Sequence, residues 1–206
     1  EIRPRDWSSD VCSSDLLAQL RALAVNGPSV AAWCPALQAV EAASQTLREA
    51  LAARLGPAML QRADAAADAL LDCAEALIAA LEAASGRRAL HIVNQCGRQR
   101  MRVQRVAKQA LLAQRLDDAA RRQSLPALLD DFETALRELE LAPLSTPQIR
   151  ADLAASRDEW LRLLRGLHTL DQASGRQALV QAADQLLALF ERLTAAYEHS
   201  LQVIMS

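Results

Sequence analysis

The chain has 206 residues, 51% of them hydrophobic but only 3% aromatic, and a formal net charge of −2 at pH 7. Alanine and leucine supply most of the apolar content and β-branched residues are sparse, which favours helix and argues against a sheet. The charge balance excludes a global basic field for nucleic acid, and no uncharged apolar run approaches the roughly 18 residues that span a bilayer.

Residues 1–16 stand apart. Asp6 to Leu16 is rich in Ser and Asp, lacks helical periodicity, and resembles the conceptual translation of a short-read sequencing adapter. We set the segment aside from fold and function, which leaves open whether a leader or membrane anchor precedes Leu17. Asn26-Gly27-Pro28 ends a first helical stretch, and Gly56-Pro57 ends a second over about Ser29 to Leu55. A third runs from Pro57 to Ala84. Its apolar run carries Asp64, Asp68, Asp72, Glu75 and Glu82, so it is amphipathic and not a membrane span. Next comes a helix over Arg88 to Arg122. Ser124 offers an N-cap with Pro126 in the first turn of a helix reaching Glu140, and Thr146-Pro147 repeats the signal for a helix ending near Leu170. Ser174 caps the last, from Arg176 to Met205. In that helix Leu179, Ala183, Leu186, Phe190, Leu193, Tyr197, Leu201 and Ile204 form a bundle-packing seam.

An internal repeat is visible. Ala66 to Leu71 matches Ala182 to Leu187, and Leu16 to Gln19 matches Leu111 to Gln114 at an offset of 95 positions. The pattern predicts an all-α protein of elongated antiparallel helical bundles, with a first truncated repeat over 17–92 and a second over 93–206. Shifted back by 95, Gly97 to Lys108 falls on positions 2–13, so the first copy of the segment described next is expected to have stood where the adapter-like residues now are.

Between Arg98 and Lys108 the chain packs five basic residues into eleven positions while keeping an apolar stripe. With Arg98 at zero and about 100° per residue, Ile92, Cys96, Val103, Ala107 and Ala110 cluster near 120–180°. Arg98, Arg102 and Arg105 fall on the opposite, solvent side. Arg100 lands near 200°, at the edge of the face expected to be buried. A guanidinium there calls for a partner: a carboxylate such as Asp68 or Asp184, a carbonyl, or a bound anion.

Asn94-Gln95-Cys96-Gly97-Arg98-Gln99-Arg100-Met101, followed by Gln104-Arg105-Val106-Ala107-Lys108, resembles the signature of the PilJ-type family. These are N-terminal domains of type IV pilus methyl-accepting chemotaxis transducers, related to the sensor domains of NarX-like nitrate/nitrite kinases. The chain departs from the usual pattern at Cys96 for Ala, Arg102 for Leu and Val103 for Ser. The resemblance implies a periplasmic helical-bundle input domain. It aligns Arg100 with the arginine that binds the anion between subunits in the nitrate sensors, a role suited to a planar, permanently charged fork of donors. Arg98, Asn94, Met101 and Arg105 are the accompanying ligand-binding candidates. The implied partners are a small anion such as nitrate or nitrite, and a homodimer or a membrane-bound signalling protein.

Other chemistry has little support. Cys34, Cys73 and Cys96 sit among apolar residues without CxxC or Cys/His spacing and read as small buried hydrophobes, with one disulfide pair left open. His91, His168 and His199 lack metal-ligand spacing. No Gly-rich phosphate loop is present, and Asp117-Asp118 and Asp130-Asp131 read as exposed helix charges. We expect no enzyme, no cofactor, no metal and no nucleic acid. A docking scaffold without a small ligand is the alternative function, and a fragment of a longer membrane transducer the third.

Overall fold

The computed structural model describes residues 30–85 and 90–205, and the adapter-like segment, the Asn26 stop and the positions expected for a first motif copy lie outside them. The described residues form six helices: α1 (Val30–Leu51), α2 (Pro57–Ser85), α3 (Leu90–Arg115), α4 (Ala119–Glu140), α5 (Pro147–His168) and α6 (Ala173–Met205). No helix among them is long and apolar enough to cross a membrane. The chain divides into two compact units, Glu1–Arg87 and Arg88–Ser206.

In the first unit α1 packs on α2. Trp33, Leu37 and Val40, spaced four and three apart, meet Leu77 of α2 in a small core flanked by Leu70, Cys73 and Leu81. The helix α1 stops at Leu51, short of the expected Leu55, in a turn closed by the Ala52 amide donating to the Arg48 carbonyl at 3.0 Å.

The second unit is a four-helix bundle in which α3 packs against α4 and α6, α6 against α5, and α4 more loosely against α5. The α6 seam is buried as its spacing predicts, from Leu179 through Phe190 and Tyr197 to Leu201. At the bundle's centre Phe132 stacks on Trp160 with ring centroids 4.1 Å apart and meets Phe190 edge-on at 5.8 Å.

Two adjoining boundaries differ from expectation for one reason. The motif helix was expected to reach Arg122, but it ends at Arg115, and Asp117 adopts φ 52°. The Asp118 amide donates to the Ala113 carbonyl at 3.0 Å and the Asp117 amide to Gln114 at 3.4 Å, the paired bonds of a Schellman ending in which Asp117 fills the place glycine usually takes. Asp118 then starts α4: its side chain accepts from the Arg121 amide at 3.1 Å, and that bond holds its carboxyl below the usual carboxylate range. So Asp117-Asp118 is a stop and a start, not a stretch of exposed helix charge. Ser124 is not a cap, and Pro126 lies inside α4. The α5 start is as expected, with Thr146 accepting from the Ile149 amide at 3.2 Å ahead of Pro147. The helix α6 begins at Ala173, ahead of its expected cap Ser174.

Candidate functional site

The motif lies wholly on α3, and its environment follows from α3 having neighbours on two sides. The buried residues include Val93, Gln95, Cys96, Gln99, Val103, Ala107, Gln109 and Ala110. On the helical wheel they span about 20° to 220°, wider than the expected stripe and centred nearer Gln99. One flank serves α4. There Gln99, fully buried, donates its amide to the Phe132 carbonyl at 2.9 Å, Gln95 donates to Glu138, and Gln109 accepts from Arg121 at 2.8 Å. As numbers rise on α3 the partners fall on α4, so the two helices run antiparallel, pinned at three levels by glutamine. These glutamines were missed in the sequence because an amide carries no apolar signal. Their angles beside Val103, Val106 and Ala113 were the clue available.

On the other flank Cys96 packs by Tyr197 of α6, and both are fully buried. Burial pushes the Cys96 thiol up to about 12, and burial followed by proximity to Cys96 pushes the Tyr197 phenol up to about 12. Cys96 is therefore a neutral, inert core group. Cys34 and Cys73 are half-buried and free, and no disulfide joins these three cysteines.

The arginines do not divide as the wheel suggested. Arg98, Arg100, Arg102 and Arg105 are all half-buried. Arg102, expected in solvent, turns inward and donates to Gln99 Oε1 at 3.1 Å, so both polar atoms of that buried amide have a partner. Arg98, Arg105 and Asn94 each have an interaction partner. Arg100 has no ion pair and no hydrogen-bonded side-chain partner among the described residues, and Asp184, one of its two expected partners, is exposed on α6.

The five candidate residues fall into two groups. Asn94, Arg98, Met101 and Arg105 follow one another at intervals of four, three and four, continued by Lys108, and so share one outward stripe. Arg100 is on the α6 side of that stripe, about 160° around the helix from Arg98. A single small anion is therefore not gripped by Arg98 and Arg100 of one α3. Gly97 sits between the groups, and a Cβ built on it would meet nothing within 4 Å. A mid-helix glycine costs about 1 kcal/mol relative to alanine. Packing within the described residues does not require it.

Among the described residues no three His, Cys, Asp or Glu side chains converge as metal ligands. A family model described as type IV pili methyl-accepting chemotaxis transducer N-terminal, PilJ, matches residues 82–196, more than half of the chain and all of the motif. No curated protein and no solved structure matches the chain.

Proposed function

Since the chain belongs to the PilJ family of type IV pili methyl-accepting chemotaxis transducer N-terminal domains, we propose that its second unit is a non-catalytic sensory input bundle that binds a small planar oxyanion, nitrate or nitrite, through Arg100. The observation that carries this reading is the state of Arg100: a half-buried arginine with no ion pair among the described residues, beside the open helix surface at Gly97. An anion supplies the missing charge and accepts the guanidinium's paired donors. Because Arg98 points around the other side of α3, a second guanidinium would come from another copy of the motif, in a homodimer or a complete two-motif chain. The same reading places the domain in the periplasm, where a transducer samples the medium. It also treats the first unit as the remainder of an earlier repeat over 17–92, with the second over 93–206.

The heptad-like spacing of Asn94, Arg98, Met101, Arg105 and Lys108 favours a second reading, in which the outward stripe of α3 is a seam for a partner helix and no small ligand is used.

Thermal denaturation of the full chain with sodium nitrate or nitrite, against chloride at equal ionic strength, separates the two. Ligand at a hundredfold excess over Kd stabilises by about 2.7 kcal/mol. The stabilisation is expected to vanish in Arg100→Ala and survive in Arg98→Ala. An oxyanion response identical in wild type and Arg100→Ala, or none in either, refutes the ligand role and leaves the docking reading.

A further inference from the structure

The loosest seam in the second unit lies between α4 and α5, and its two ends differ. Near the α4–α5 connection Arg157 clasps Glu140 at 2.7 Å and reaches toward Glu133 at 4.0 Å. Toward the other end the helices leave a cavity of about 410 Å3 between them. Leu125 and Leu129 of α4 wall one side, and Leu167 and Leu170 the other. The floor is Ala110 and Ala113 of α3, each 1% exposed, whose methyl side chains leave the space unfilled.

Pro126 lies inside α4 and lines the cavity. It has no N–H to donate to the Arg122 carbonyl four residues back, so the helix lacks one ladder bond beside the cavity.

The rim has a chemical bias. Gln114 donates one amide N–H to the Leu170 carbonyl, and its Oε1 is available as an acceptor. The Asp171 carboxylate and the His168 ring also edge the cavity, with no partner among the described residues. Arg122, the rim's cation, is already held by Asp117 Oδ1 at 2.9 Å and by backbone carbonyls. With the Arg122 charge paired to Asp117 and the Asp171 carboxylate unpaired among the described residues, the rim carries a net negative charge and selects against an anion. The volume lies in the lower part of the range of small-molecule pockets, and the walls are apolar, as in such pockets.

We propose that this cleft is a second ligand site, distinct from the Arg100 surface, for a small apolar molecule carrying one O–H or N–H donor, a simple phenol or indole in class. The body fills the space between Leu129 and Leu167 over the alanine floor, and the donor bonds Gln114 Oε1 or Asp171. The site uses none of the residues in the oxyanion reading, so each stands or falls alone.

Fluorine NMR titration of the full chain with 4-fluorophenol and 5-fluoroindole tests this. Saturable broadening is expected for both probes, with 4-fluorotoluene, which lacks the donor, about fivefold weaker. Ala113→Leu fills the floor and should abolish saturable binding, as should Leu167→Trp from the wall, which serves if the first variant fails to fold. Probe binding that never saturates, or that is unchanged in both variants, overturns the proposal. So does concentration-dependent self-association in sedimentation that Ala113→Leu removes, since the cleft would then hold a second copy of the chain.

Discussion

The hairpin between α5 and α6 turns on a contact so close that one methyl group is expected to break it. A Cβ on Gly175 would lie 2.0 Å from the Thr169 carbonyl oxygen and 2.5 Å from both its carbon and Oγ1. Two of these atoms are backbone, and the carbonyl accepts from the Gln172 amide at 3.0 Å within the turn that joins the helices. Relief requires the end of α5 to move by more than about 1 Å, at an overpacking cost of roughly 1–3 kcal/mol. Losing the Thr169–Gln172 bond adds about 1 kcal/mol, and alanine's better helix propensity returns at most about 1 kcal/mol. Gly175→Ala should therefore destabilise the second unit by about 1–3 kcal/mol. Gly97→Ala is the internal control: the same substitution, also in a helix, with open space around it, should stabilise by about 0.5–1 kcal/mol. Urea denaturation followed by Trp160 fluorescence, in a chain carrying Trp7→Phe and Trp33→Phe, isolates the second unit. If the two substitutions shift the midpoint in the same direction, the close-contact reasoning is wrong.

Further outcomes follow from buried groups. Cys96 and Tyr197 stay protonated in the fold to about pH 12, whereas the unfolded chain ionises them near 9 and 10. Between those values the unfolded state holds fewer protons, so stability should fall as pH rises above 9, more steeply above 10. Cys96→Ala should delay that fall until about pH 10, and denaturation midpoints from pH 8 to 11 check it; an unchanged profile refutes the assignment. In native protein Cys96 should be the last of Cys34, Cys73 and Cys96 to be alkylated, as mass spectrometry reads directly. Asp152, 5% exposed, accepts from Arg192 at 2.9 Å and from Gln148 at 2.9 Å. Because Arg192 is 55% exposed and returns readily to water, Asp152→Ala should cost about 1–2 kcal/mol by urea denaturation, less than breaking a fully buried pair. A loss under about 0.3 kcal/mol would mean that the ion pair and its hydrogen bonds contribute nothing net.

Much of this architecture was written locally. Alanine- and leucine-rich composition made the helices, Thr146-Pro147 set one start, and the α6 seam at threes and fours named the core face of its helix. The sequence motif also carried the family. What it could not carry was anything decided by a second neighbour. With α4 and α6 on two sides, the buried arc of α3 widened past its apolar stripe and took in Gln95, Gln99 and Gln109, whose amides are satisfied only by atoms on another helix. Arg102 turned inward for the same reason, because Gln99 offered it an acceptor. Asp117 ended α3 by adopting a left-handed conformation that aspartate tolerates but that its identity alone does not announce. Gly97 and Gly175 are the same letter in the sequence. Only packing made one a necessity and left the other without a partner among the described residues, because a missing side chain has meaning only in relation to what stands opposite it.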